Sequence, residues 1–232
     1  MRINKYIGES GKASRRGADR LVNEGRVTIN GEFAVLGSVV QAGDDVRIDD
    51  QPVYVETEKV YMALNKPVGI TSTTDSDIAG NIVDLMNHPL RVFHIGRLDK
   101  DSEGLILMTN DGDIVNPILR SEHQHEKEYI VSVDKPIKRD FLRKMSAGVE
   151  ILDTTTLPCK VTQLSKFDFK IILTQGLNRQ IRRMTAALGY KVVHLQRIRI
   201  MNIHLGDLPH GKWRNLTKQE LIDLFEELNY HP

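Results

Sequence analysis

The stretch from Phe93 to Thr109, FHIGRLDKDSEGLILMT, constrains the fold more than any other part of the chain. A short apolar approach, Val92 to Ile95, leads into a polar loop carrying Arg97, Asp99, Asp101 and Glu103. The run Gly104 to Met108 then has the unbroken apolar character of a buried strand. A loop held between two strands is a rigid mount for a reacting group. Whether Asp99 is such a group, or one of three solvated carboxylates, depends on what the rest of the sequence places beside it.

A metal role for the three acids fails on spacing. Asp99, Asp101, Glu103 and Gly104 follow the start of a calcium-binding loop, but its twelfth position, which requires a bidentate glutamate, is Asn110. His123 and His125, on either side of Gln124, bring no third ligand at metal spacing and read as surface residues. Cys159 is the only cysteine, which excludes an intramolecular disulfide and a multi-cysteine metal site. Neither a serine nucleophile elbow nor a glycine-rich phosphate cradle is present. What remains is a carboxylate working without metal or cofactor. An aspartate serves as nucleophile or base where a cation keeps it ionised and an apolar wall holds water away. The segment GLNRQIRRM, 176–184, offers the cations: on a helix Arg179, Arg182 and Arg183 share one face while Ile181 points elsewhere. Tyr129, near a strand end, is placed to stack on a base pulled out of its helix.

The formal net charge is +1, against a protein that coats nucleic acid along its whole surface, but the bases are unevenly spread. Met1 to Gly31 holds seven bases against three acids, and Asn178 to Arg199 holds six bases and no acid. Two separated basic patches suggest a polyanion held at two places. No stretch approaches the roughly 18 uninterrupted apolar residues of a membrane span, and the first residues lack the apolar core of a signal peptide. A cytoplasmic protein with no membrane partner is therefore expected.

At 232 residues the chain exceeds the usual domain size of about 100–150, so a small and a large domain are expected. Residues 1–48 read as a compact module with a helix over Ile3, Tyr6 and Ile7. A second helix is capped by Ser14 and ended by Gly25, and a small β unit turns at Asn30-Gly31. Arg15, Arg16 and Arg20 fall largely off the apolar face of the second helix. The polar, Pro52-containing segment 49–59 reads as a linker. From residue 60 to 232, strands and helices mix without regular alternation, which favours an α+β domain. Strands are expected at 60–64, 127–133 and 190–195, with a hairpin at 161–164 and 167–173. Helices are expected at 81–86, 114–119, 141–148 and 180–188, and from a capping box at Thr217–Glu220 through Leu228. Lys66, in the turn Asn65–Gly69, is a candidate phosphate contact.

SGKASRRGADRLVNEGRVTINGE, followed by VVQAGDDVRI, is similar to the S4 RNA-binding domain, a small helix-helix-strand (αL-motif) module. The likeness implies RNA contacts by Lys5, Lys12, Ser14, Arg15, Arg16, Arg20 and Arg26. Gly17 departs from the pattern, since glycine inside a helix costs about 1 kcal/mol relative to alanine. The rest of the chain resembles the pseudouridine synthases, specifically the RsuA-type family with an N-terminal S4 domain. The motifs are HIGRLD with Ser102 and Gly104 to Thr109, HEKEYIV, and QGLNRQIRRM. Together with NKPVGITSTT they are most similar to the RluF branch of that family.

The resemblance implies an S4 domain plus a catalytic domain built on a mixed, largely antiparallel sheet. It implies that a uridine in 23S ribosomal RNA, and for some members of the branch a transfer RNA uridine, becomes pseudouridine without cofactor or metal. Asp99 falls on the catalytic aspartate, Tyr129 on the tyrosine that stacks on uracil, Arg182 on the basic residue paired with the aspartate, and Ile181 on the aliphatic residue packed against the base. Arg97, Arg179, Arg183 and Lys66 are then expected to contact RNA. Attack by Asp99 on C1′ or on the ring, or removal of the C2′ proton, all stay open. A monomer is expected. The rival reading, a catalytically silent RNA-binding or ribosome-assembly factor, is opposed by the presence of Asp99.

Overall fold

The computed structural model describes residues 1–75, 77–120 and 124–231. The chain divides into two compact units. One comprises Met1–Val60 with His88–Val92 and Asn110–Gly112, and the other comprises Tyr61–Asn87, Phe93–Thr109 and Asp113–Pro232.

The first unit opens with helices α1 (Ile3–Glu9) and α2 (Arg15–Asn23). Strands β1 (Val27–Ile29), β2 (Glu32–Phe33), β3 (Val46–Ile48) and β4 (Gln51–Pro52) follow, in the sheet order β2-β1-β3-β4. Ile3, Ile7, Ala18, Val22, Val27 and Val46 form its core, so both helices bury the faces their spacing predicts. The Ser14 side chain caps α2 by accepting from the Gly17 amide at 3.0 Å. Gly17 thus lies in the first turn, where a Cβ would meet Ser14 Oγ at 3.2 Å and Ala13 Cβ at 3.3 Å. Its lack of a side chain relieves crowding under the cap.

The segment 49–59 does not begin as a linker. Asp49 and Asp50, at φ of 48° and 62°, form a tight turn that sends the chain back as β4. Val53 is buried in the core, and the Tyr6 hydroxyl donates to its carbonyl at 3.0 Å. Polar composition suggested a loop, and the two left-handed aspartates instead make a hairpin.

The second unit contains β5 (Tyr61–Lys66), α3 (Ile82–Met86), β6 (Phe93–Ile95), β7 (Glu103–Thr109), α4 (Val115–Leu119) and β8 (Lys127–Val133). There follow α5 (Arg139–Ala147), the short hairpin β9 (Glu150–Ile151) and β10 (Thr154–Thr155), β11 (Lys160–Gln163), β12 (Asp168–Leu173) and α6 (Gln180–Ala187). The chain ends with β13 (Val192–Ile200), β14 (Ile203–His204), β15 (Trp213–Asn215) and α7 (Lys218–Leu228). Among the described residues the main sheet has nine strands, in the order β11-β12-β8-β13-β7-β5-β15 with β14 beside β13 and β6 beside β7.

Every pairing in that sheet is antiparallel except β13 with β7, which is parallel and short: Gln196 faces Glu103 and Arg197 faces Gly104. The same edge of β7 pairs with β6 farther along, Ile95 against Leu107 and Phe93 against Thr109. β6 and β13 thus share one edge of β7, and the loop 96–102 emerges where they part. Two apolar clusters lie along the sheet. Val131, Phe169, Ile171 and Leu195 pack with Ile181 and Met184 of α6, and Leu105, Leu107 and Ile203 pack with Ile114 and Leu224.

Gly104 makes the parallel contact possible. Its φ is +101°, and a Cβ there would overlap the carbonyl oxygen of Arg197 and lie 2.8 Å from the Arg197 amide nitrogen. Gly104→Ala is therefore expected to destabilise the protein by at least about 2 kcal/mol, from overlap plus backbone strain. Urea unfolding monitored at Trp213 measures the difference, and a midpoint equal to the wild type contradicts this account.

Candidate active site

The loop 96–102 is fixed from both sides of Asp99. The Ser72 hydroxyl donates to the Leu98 carbonyl at 2.8 Å and accepts from the Leu98 amide at 3.2 Å. The Gly69 amide donates to the Lys100 carbonyl at 2.8 Å, and the Ser102 amide closes the turn onto the Asp99 carbonyl at 3.1 Å. The segment 67–72 that supplies two of these tethers is itself held by Lys66, whose Nζ donates to the carbonyls of Pro67 and Ile70, both at 2.9 Å.

Lys66 is fully buried at the end of β5, so it is not the phosphate contact that its place beside Pro67 suggested. The strand runs two residues past the expected end and carries the side chain inward. Burial pulls the Lys66 ammonium down to about 8.

The three carboxylates of the loop are not equivalent. Asp101 accepts two hydrogen bonds from Arg179, at 3.0 and 2.8 Å, and lies 3.4 Å from Arg182 Nε. The Arg179 hydrogen bond is the main reason its carboxyl is held below the ordinary range. Glu103 lies 2.8 Å from His194 Nε2. Asp99 has one cation close by, Arg179 Nη1 at 3.4 Å, and among the described residues no hydrogen bond to its carboxylate. It also faces a cleft of about 690 Å³ that neither Asp101 nor Glu103 lines.

Tyr129, Ile181, Arg97, Arg179, Arg182, Lys127, Ser102 and Arg197 line the same cleft, so the structure gathers most of the expected site residues around Asp99. Tyr129 is half-buried on β8, Ile181 is buried on α6, and Arg97 is exposed. The arginines differ from the expected arrangement. Arg179 precedes α6 in the left-handed region, at φ 49°, and so shares no helical face with Arg182 and Arg183. That geometry, which sequence spacing does not reveal, turns Arg179 toward the acidic loop, where it approaches Asp99. Arg182 instead donates to the Asp101 carbonyl at 2.7 Å and to Ser102 Oγ at 3.1 Å. Arg183 folds back on its own loop, donating to the Asn178 carbonyl at 3.0 Å and Asn178 Oδ1 at 3.1 Å, and does not line the cleft.

Counting bases within 178–199 overstates the second patch. Arg199 donates to Glu128 at 2.7 Å and to Glu126 at 2.8 Å, and Arg197 is buried. Strand β13 continues five residues beyond the expected Leu195, taking both into the sheet. No sequence signal singles out Ser72 or Lys127 as part of the site. Lys127 shares a sheet face with Tyr129 on β8, and burial lowers its pKa. Of the two histidines considered for a metal, His125 is buried with Nε2 3.1 Å from the Pro117 carbonyl, and His123 lies outside the described residues.

On the first unit, Lys12, Arg15, Arg16 and Arg20 are exposed. Among the described residues Arg15, Arg16 and Arg20 have no ion pair. Arg26 differs from the expected phosphate contact: it clamps Asp49 through Nε at 2.8 Å and Nη2 at 2.5 Å, and reaches Glu24 at 3.2 Å. Lys5 pairs with Glu9 at 3.5 Å, and the Ser14 hydroxyl is occupied by its cap.

A carboxylate without a hydrogen bond among the described residues, in a cleft with an aromatic ring, an aliphatic wall and several guanidinium groups, suits a planar polar ring attached to a polyanion. Residues 60–187 match the model of the RNA pseudouridylate synthase family, and residues 1–46 match the S4 domain. The chain belongs to the RNA pseudouridylate synthase family, in its RsuA-type branch, and it isomerises uridine to pseudouridine in RNA. It is 56% identical over 228 residues to the dual-specificity RNA pseudouridine synthase RluF of Escherichia coli K12, covering 97% of this chain and 79% of that one. It is 36% identical over 229 residues to the ribosomal large subunit pseudouridine synthase B of Bacillus subtilis, covering 95% and 93%. A crystal structure of a pseudouridylate synthase superposes with a TM-score of 0.72 at 31% identity, covering 97% of this chain and 99% of that one.

Lys66 gives a pH signature. Folded, it releases its proton near 8, whereas unfolded it keeps it to the ordinary 10.5. Between these values the unfolded chain binds more protons, so this group makes the protein more stable as pH rises. The stability difference between wild type and Lys66→Met is expected to move in favour of the wild type from pH 8 to 10, by up to about 1 kcal/mol per pH unit. Urea midpoints of both proteins at pH 7, 8, 9 and 10 test this, and a difference independent of pH refutes it.

Proposed function

We propose that the substrate is a uridine of 23S ribosomal RNA, with a transfer RNA uridine as a second target, and that Asp99 carries the reaction without a cofactor. The names of the relatives support the substrate: one is called dual-specificity and the other is assigned to the large ribosomal subunit. The observation that carries the catalytic assignment is the contrast among the loop carboxylates. Asp101 and Glu103 have close partners, and Asp99 keeps its acceptor capacity turned to the cleft.

In this reading the S4 unit grips folded RNA through Lys12, Arg15, Arg16 and Arg20 while one uridine is drawn into the cleft. The base stacks on Tyr129 against Ile181. The C1′–N1 bond breaks with its electron pair going to the base, the base turns, C5 bonds to C1′, C5 gives up its proton, and N1 takes one up. No atom is gained or lost, which suits a site with no need of an external group. Asp99 acts by adding to C1′ or by taking the C2′ proton, with Arg179 Nη1 3.4 Å from its carboxylate. Arg182 acts through the loop by holding the Asp101 carbonyl and Ser102 in place. Arg97 contacts RNA next to the extracted nucleotide. The enzyme works in the cytoplasm as a monomer.

Asp99→Asn is expected to abolish pseudouridine formation, read by carbodiimide-dependent primer extension on 23S and transfer RNA, while RNA affinity stays within a few-fold. Persisting modification at an unchanged rate removes Asp99 from the chemistry. The triple variant Arg15→Ala, Arg16→Ala, Arg20→Ala should weaken RNA binding and flatten the plot of log affinity against log salt by roughly 0.7–0.9 per lost phosphate contact. An unchanged slope places the RNA elsewhere than on α2.

A further inference from the structure

Arg197 is a buried cation whose surroundings do not account for it. It sits on β13 between its cross-strand neighbours Gly104 and Tyr129 and is only 4% exposed. Its Nε donates to the Leu105 carbonyl at 2.7 Å. Nη2 is sealed from solvent and has no partner, and among the described residues no carboxylate pairs with the guanidinium. The nearest chemistry is the Tyr129 ring, 6.0 Å from Cζ to its centroid, and the cleft that Arg197 lines together with Asp99, Ser102 and Ile181. Lys127, on the same sheet face as Tyr129, adds a second cation without bringing a carboxylate.

A guanidinium stripped of water and left without a counter-charge destabilises a fold. Bracing the Leu105 carbonyl needs one N–H and not a charge. The arrangement is therefore suited to an occupant that brings an acceptor, and one whose negative charge grows during the reaction gains most. We propose that Arg197 donates a hydrogen bond to a carbonyl oxygen of the extracted uracil and stabilises the negative charge that forms on the ring when the C1′–N1 bond breaks. The inference rests on the reading that the cleft around Asp99 receives the target uridine.

The electron accounting fits this role. The C1′–N1 pair leaves with the base, and the resulting charge spreads over N1, O2 and O4. Asp99 either bonds to C1′ or holds the C2′ proton. Arg197 moves no proton and only places positive charge at a ring oxygen, so its contribution is larger in the transition state than for the neutral bound base. A phosphate is the less suitable ligand, because the cation lies beside the aromatic ring and the apolar Ile181 wall instead of on the exposed rim with Arg97.

The test uses full-length protein and a synthetic stem-loop RNA built around a uridine that the wild type modifies, carrying uridine, 2-thiouridine or 4-thiouridine at the target. Arg197→Met, with its fold checked by thermal melting, is expected to lower the single-turnover rate by about 10²–10³ while RNA binding stays within threefold. Sulfur at the contacted position should slow the wild type and cost Arg197→Met little more. Sulfur at the other position should slow both proteins by the same factor. If Arg197→Met does not fold, the same comparison is made with Arg197→Lys. The proposal is overturned if the variant turns over within threefold of wild type, or if both thio substrates slow wild type and variant equally, as a purely structural brace requires. Activity retained by Asp99→Asn would instead overturn the reading of the site itself. An inert Asp99→Asn beside a fully active Arg197→Met would overturn this inference alone.

Discussion

The two-residue parallel contact between β7 and β13 is the constraint on which the catalytic unit depends. Parallel pairing usually needs a covering crossover and a longer ladder. Here it persists for one step because Gly104 has no side chain and the backbones can close to contact. Beyond that step β6 takes over the same edge of β7, and the chain between them has nowhere to go but outward, as the loop that carries Asp99. A longer parallel ladder would leave no room for the loop. Without the contact, β8 and β12, which bring Tyr129 and the floor of the cleft, would be detached from β7.

Electrostatic sorting follows from that placement. Three acids within five residues would repel one another as solvated neighbours. The fold gives Asp101 to Arg179, Glu103 to His194, and leaves Asp99 3.4 Å from Nη1 of the same Arg179. The left-handed residue at the start of α6 makes this possible, since a helical Arg179 would follow the register of Arg182. One left-handed backbone position thus decides which carboxylate is left without a hydrogen bond among the described residues.

Much of this was legible in the sequence because it is local. The Ser14 cap, the Asn30-Gly31 turn, the apolar run of β7 and the capping box of α7 each depend on residues within one turn or strand, and their physics is contained in that window. What was misread depends on partners far along the chain. Lys66 reads as a surface lysine until β5 is known to extend and bury it, and Arg26 as a free base until Asp49 is folded onto it. Arg197 and Arg199 looked like one basic stripe, although one is buried beside Tyr129 and the other is neutralised by Glu126 and Glu128. A register shift in β13 between Arg197 and Arg199 sets one opposite Tyr129 and the other opposite Glu128, and nothing in a charge count distinguishes them.

The tethers on the loop 96–102 have a consequence for recognition. Ser72 on one side of Asp99 and Gly69 on the other, both backed by the buried ammonium of Lys66, fix the loop before any RNA arrives. The conformational entropy of ordering this segment is then part of folding and not of binding. The work of unstacking the nucleotide and turning it outward is then a cost carried on the RNA side. Order built into the loop by its tethers during folding is order that the encounter with RNA does not have to create.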